Sequence, residues 1–437
     1  MSTVPGAVDT DSQPPLSIPL RHFVVALGFL LAGAGLGVAD ALGVAPGLAR
    51  LAHLHLLLVG FVCLTIAGAM TQFVPVWAGT PLHSRRLARV QLWFVGVGVA
   101  GFAAALLGGR LGVLPVFGAA MLAGFWTLAY NVGRTLGSAR PLDVTERHFA
   151  AALGFFVFLT GLGLVLAVGF ATPLDLPVAR TRLVAAHATL AVFGAVLTTV
   201  FGALYQLVTM FGQTEFDDAD RTLQRIETVG YPLGVVVLAL GRLVGSAAVA
   251  RLGGVLALVG VAAFSVVLVR RLRNARAGRT PMLARYALLA PALLLWLAAT
   301  VPAWLRTPLA ESVVFGAPGT GHLLAMVVTL VLVGTLYHVV PFLVWVHRYS
   351  DLLGFEDVPM IDDLYDDRLE TVDLVLVAAG GAALAGGDPA GLGSVSLVGG
   401  VVLATGLVVF VSNLALVVWR HAPESLSGGA APGPTDD

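Results

Sequence analysis

The chain has 437 residues, of which 58% are apolar and 11% charged, and its formal net charge is zero. This composition is that of a polytopic membrane protein rather than a soluble one, so the lipid bilayer is its first partner and no nucleic-acid partner is expected. A single cysteine, Cys63, excludes an intrachain disulfide and any cysteine-based zinc or iron-sulfur site.

The first 20 residues (1–20) and the last 17 (421–437) are rich in Pro, Gly, Ser and Asp and read as disordered tails. The amino-terminal stretch has no basic region leading into an apolar core, so no cleavable signal peptide is expected. Between the tails, residues 21–420 form one membrane domain. Apolar runs bounded by Arg, Pro and Gly predict twelve spans near 21–43, 51–77, 87–109, 112–135, 147–171, 182–211, 228–248, 250–271, 283–305, 319–347, 371–387 and 391–419. The predicted fold is all-α.

Three of these spans share a plan. The run from Leu51 to Trp77, the run from His187 and the run from His322 each carry a histidine early. Each later carries a glycine followed four residues on by a polar side chain: Gly68 and Gln72, Gly202 and Gln206, Gly334 and His338. His53 to Gln72 and His187 to Gln206 are both 19 residues apart, whereas His322 to His338 is 16, one helical turn out of step. The shared helices are the second, sixth and tenth, which predicts three four-helix repeats.

Every basic residue is arginine, and arginines concentrate in the loops after even-numbered helices, among them Arg85, Arg86, Arg89, Arg140, Arg270, Arg271, Arg273 and Arg279. The positive-inside rule then places both termini in the cytoplasm of a multi-pass cell-membrane protein. His53, His55, His187 and His322 fall toward the outer side, and Gln72, Gln206 and His338 toward the inner side. The acidic runs at 215–220 and 362–367 read as solvated faces, and the segment from His347 to Leu369 as a cap docked through Phe355, Met360 and Ile361. No Asp, Glu or Lys falls in the middle of a predicted span, which argues against a proton path through the bilayer. Tyr130-Asn131, Tyr205-Gln206 and Tyr337-His338 gather on the inner side, suited to hydrogen bonding between helices or to a quinone headgroup.

A histidine inside a membrane must find partners for both ring nitrogens, and a neutral imidazole is a metal ligand through either. Imidazoles from two helices at one depth suit the two axial positions of a haem. His322 and either His53 or His55 meet that condition; the latter two point about 200° apart around their helix, so only one can face a shared site. The plainer role for each histidine, His187 and His338 included, is a hydrogen bond between helices. His22, His83, His148, His347 and His421 read as interfacial residues at helix ends. Haem propionates on the outer side need cations, for which Arg180, Arg182 and Arg306 are candidates, with Arg50 and Trp304 nearby.

Twelve helices in three groups of four, with histidines near the outer ends of helices two, six and ten, resemble subunit I of the haem-copper oxidase superfamily. The resemblance covers about residues 21–420. It implies a pseudo-threefold bundle, a low-spin haem b held by His322 and His53 or His55, and a copper or second haem near His187. It also implies electron transfer, or a reduced form of the family's oxygen or nitric oxide chemistry, served by an electron donor or a cupredoxin-like subunit. The chain departs from the family in three places. Its seventh helix has no histidine, Leu323 and Leu324 follow His322 where a second histidine is expected, and Ala191 stands where the family has a tyrosine. The alternative from another class is a non-redox membrane protein on the same scaffold: a haem or copper sensor, an assembly factor or a transporter.

Overall fold

A computed structural model describes residues 13–422 apart from 140, 173–176 and 279. Arg140, Arg279 and most of both tails therefore lie outside the described residues. Twelve helices are long and apolar enough to cross a membrane: α1 (Ser17–Ala41), α2 (Ala49–Ala78), α3 (Arg85–Leu107), α4 (Leu111–Ser138), α5 (Val144–Ala171), α6 (Arg180–Gly212), α7 (Asp218–Val244), α8 (Ala247–Arg273), α9 (Pro281–Arg306), α10 (Gly321–Arg348), α11 (Asp367–Gly387) and α12 (Gly393–His421). The helical expectation is met because in hydrocarbon every backbone group must be satisfied within its own segment.

The loops alternate between two faces. On one, which carries the start of α1 and the end of α12, Arg348 Nη1 donates to the His421 carbonyl at 2.8 Å and Arg276 N to the Gly212 carbonyl at 2.9 Å. On the far face, Leu48 N donates to the Leu106 carbonyl and Arg251 Nε to the Leu305 carbonyl. We call these the termini face and the far face. At the centre, α2, α6 and α10 meet around a cavity of about 60 Å³, bordered by Thr65, Met70, Thr199, Val200, Val331 and Thr335.

Repetition is visible in the backbone as well as in the packing. Three residues after His53, α2 widens into π-helical turns at Leu56–Cys63, and three after His187, α6 does the same at Leu190–Leu197. Inside each widened stretch a glycine receives a phenylalanine from the preceding helix. A Cβ on Gly60 would lie 2.6 Å from Phe29, and one on Gly194 would lie 2.7 Å from Phe155. Within its described residues α10 has no such stretch.

Three expectations need correction. The seventh span begins at Asp218, not 228, and Gly245, with φ +75°, ends it before 248. Its charged opening is helical because Asp217 and Asp220 cap it reciprocally and Asp220 pairs with Arg270 and Arg271 at the end of α8. The acidic run is thus an interhelical clasp as well as a solvated face. In the 347–369 segment Phe355 and Met360 are exposed. Leu364 and Tyr365 dock instead, and Trp345 donates to the Pro359 carbonyl at 2.7 Å.

Candidate functional site

Near the far face, α2 and α6 each present a histidine fastened to the preceding helix. His53 Nδ1 donates to the Gly33 carbonyl of α1 at 2.7 Å, and His187 Nδ1 to the Leu159 carbonyl of α5 at 2.9 Å. Both rings lie against glycine: a Cβ on Gly37 would come 2.5 Å from His53 Cε1, and one on Gly163 3.0 Å from His187 Cε1. A ring nitrogen bonded to a carbonyl must carry the hydrogen, so Nε2 keeps its lone pair. His55 follows the same rule on its own helix, Nδ1 donating to the Leu51 carbonyl at 2.9 Å. Its ring leans on Phe102 of α3 at 4.9 Å and lies near enough to His187 for the two to interact electrostatically.

His322 stands apart. It is the second residue of α10, its side chain is 43% exposed, and its nearest charged partner is Asp388, 3.6 Å away at the end of α11. Among the described residues no three His, Cys, Asp or Glu side chains converge as a metal site. Two of the three candidate arginines are engaged elsewhere. Arg180 lies over the Phe170 ring at 4.0 Å, and Arg182 Nη1 donates to the Val244 carbonyl; Arg306 is exposed. The buried far-face cation is Arg242, bonded to Thr189 Oγ1 at 2.6 Å and to the carbonyls of Pro308, Val313 and Val314, with Trp304 beside it. It ties the Pro308–Val314 turn to α6 and α7.

Toward the termini face, the layer of Gln72, Gln206 and His338 does not close on itself. Gln72 is buried with Oε1 unpartnered, and His338 packs on Phe211 at 3.9 Å. The polar chemistry there sits one shell outward, in three buried nodes, α1 with α3, α5 with α7 and α9 with α11. In the first repeat His22 of α1 donates through Nδ1 to Ile18 O at 2.8 Å and accepts at Nε2 from Gln91 of α3 at 3.3 Å. In the second, His148 of α5 donates to Val144 O at 2.7 Å and meets Glu227 of α7 at 2.9 and 3.1 Å. In the third, Arg285 of α9 donates to Pro281 O at 3.0 Å, to Glu370 at 2.5 Å and to Asp373 of α11.

The three nodes occupy equivalent places. Each first-helix residue bonds the carbonyl four residues before it, and each lies across the repeated glycine of the second helix. A Cβ on Gly68, Gly202 or Gly334 would come 2.7, 2.5 or 3.3 Å from the Cβ of His22, His148 or Arg285. His22 and His148 are therefore not interfacial as expected; both are buried, as are Glu227 and Asp373. Glu227 and Asp373 thus stand within membrane helices, toward their termini-face ends rather than in the middle. Asn131 and Tyr337 serve helix contacts, with Asn131 joined to Ser84 and Tyr337 donating to Asp373, while Tyr130 is exposed beside His83.

No protein-family model and no curated protein sequence matches this chain.

Proposed function

We propose that this chain is a haem- or metal-binding integral membrane protein of the haem-copper oxidase subunit I type, with its group held by imidazoles of α2 and α6. The observation that carries the proposal is the shared state of His55 and His187: both fix Nδ1 on a carbonyl and both keep the Nε2 lone pair. That tautomer leaves Nε2 able to bind a metal. The donor set fits a group bound by two imidazoles; His53 is a third imidazole in the same tautomer, turned toward α1. The α2–α10 pairing implied by the family resemblance would need His322 to leave Asp388 and enter the bundle. Haem b bound here would supply one-electron transfer, and copper is the alternative occupant. The arginine-rich loops support a cytoplasmic termini face, so the histidines would meet an electron donor or cupredoxin-like partner from outside.

The test is a reduced-minus-oxidised visible spectrum of the full-length protein in detergent, with iron and copper quantified. Wild type, His55→Ala, His187→Ala and His322→Ala are compared. Loss of the haem band or bound metal in the His55 and His187 variants, with retention in His322→Ala, is expected. Loss in His322→Ala alone would restore the α2–α10 pairing. A folded wild type that takes up neither metal, even when haem and copper are supplied, would move the chain to the non-redox reading.

A further inference from the structure

The three termini-face nodes differ in one respect that matters chemically: whether their charge can change. In the first, His22 Nδ1–H is committed to Ile18 O and the Gln91 amide donates to Nε2, so the node is neutral and complete. In the third, Arg285 is a guanidinium that stays charged, faced by Glu370 and Asp373, with Tyr337 also donating to Asp373. In the second, His148 Nδ1–H is committed to Val144 O, yet Nε2 faces both oxygens of Glu227. A lone pair cannot bond a carboxylate lone pair. The contact therefore contains a proton, carried by His148 or by Glu227, in a place where both side chains are fully buried.

What happens when that proton leaves depends on Tyr205 of α6. Its hydroxyl is buried, makes no hydrogen bond to a neighbouring group, and interacts electrostatically with Glu227. Tyr337, at the corresponding place in the third repeat, already bonds its carboxylate. The other groups facing the node are Asp143, which acts on His148 from just ahead of α5, and Tyr231 of α7, whose hydroxyl is spent on the Phe193 carbonyl at 2.6 Å. The rings of Phe216 and, on α8, Phe264 pack against Tyr205 and carry no charge. Asp143 is exposed on the termini face, and five residues of helix place His148 about 7.5 Å below it.

We infer that His148 and Glu227 form a proton-binding site served from the termini face, with Tyr205 as the donor that holds the Glu227 carboxylate once the proton has gone. The step is balanced: the imidazolium gives its Nε2 proton to water, leaving neutral His148 and a carboxylate, and the Tyr205 O–H bond stays intact. The substrate is the proton itself. This inference stands whether or not the far-face histidines hold a metal.

The test is ¹⁵N NMR of histidine-labelled full-length protein in nanodiscs, titrated from about pH 5 to about pH 10, with the His148 signal assigned by its loss in His148→Gln. Wild-type His148 is expected to pass from imidazolium to neutral within that range. Glu227→Gln should keep it neutral throughout. Tyr205→Phe should raise the midpoint by about one unit, a roughly tenfold gain in proton affinity, because the deprotonated state loses its donor. Tyr205→Phe leaves the ion pair intact, so it reads out the site even if Glu227→Gln folds poorly. A wild-type His148 whose signal does not titrate would show a locked pair and overturn the inference, as would a Tyr205→Phe midpoint that stays put or falls.

Discussion

The two ends of this bundle handle buried polar groups in opposite ways. Near the far face His53, His55 and His187 each spend one nitrogen on a backbone carbonyl and keep the other available. Near the termini face His148 and Arg285 close their polar atoms on carboxylates from another helix, and His22 closes on an amide. A bond to one's own scaffold orients a side chain without consuming it, whereas a bond between side chains joins helices. The far-face layer thus leaves ring nitrogens free, and the termini-face layer chiefly joins helices.

The sharpest way to break the comparison is at Arg285. Arg285→Met would leave Glu370 and Asp373 buried without their cation, and breaking a buried pair from one side costs about 3–5 kcal/mol. Thermal unfolding in detergent should fall far more than for His187→Ala, whose removed partner is one carbonyl. Replacing Asp373 by Leu in the same molecule should recover part of the loss. Equal effects at Arg285 and His187 would dissolve the distinction between the two ends.

Much of the fold was legible because hydropathy is local: about 20 apolar residues make a span whatever surrounds them, and all twelve were found. The recurring glycines Gly68, Gly202 and Gly334 were legible too. The nodes were not, because their meaning depends on which residue lies opposite those glycines, and His22 and His148 sit within six residues of a helix start, where a polar side chain ordinarily meets water. Glu227 was missed for a related reason. The charges of Asp217, Asp220 and Glu227 resemble a loop until the arginines of α8 are placed against the first two and His148 against the third. The recurring glycine was the available signal: a position kept free of Cβ implies that something bulky is packed there. On the far face, the histidine positions were readable, but the turn of His322 toward Asp388 was not, since it depends on where α11 ends.

A smaller effect tests whether the glycines hold the nodes in place. Gly202→Ala sets a methyl 2.5 Å from His148 Cβ and should cost about 1–3 kcal/mol by overpacking, while Gly334→Ala, at 3.3 Å from Arg285 Cβ, should cost less. Midpoints of thermal unfolding for the two variants give the ranking directly. Smaller still is the neutral node. Gln91→Leu removes one ordinary hydrogen bond, about 1 kcal/mol, and the His22→Leu, Gln91→Leu pair should be close to neutral because neither partner is left stranded. A double variant as damaged as the Arg285 single variant would mean that the first node carries more than a hydrogen bond.

The mildest perturbation is at the edge of the termini face. Asp217 caps α7, accepting from Asp220 N at 2.9 Å, and pairs with Arg270 of α8. That backbone bond first, and then the Arg270 charge, hold its carboxyl below the usual carboxylate range. A carboxylate with a lowered folded pKa contributes stability above its unfolded value and loses it as pH falls through the lowered one. Acidification below about pH 4 should therefore loosen the start of α7. Because Asp217 is solvent-exposed, added salt should shrink the Arg270 share and leave the capping share in place. Hydrogen exchange at the first turn of α7 reports both: faster exchange in acid for wild type, and little further acid response in Asp217→Asn. If the variant retained the full acid response, Asp217 would not be its source.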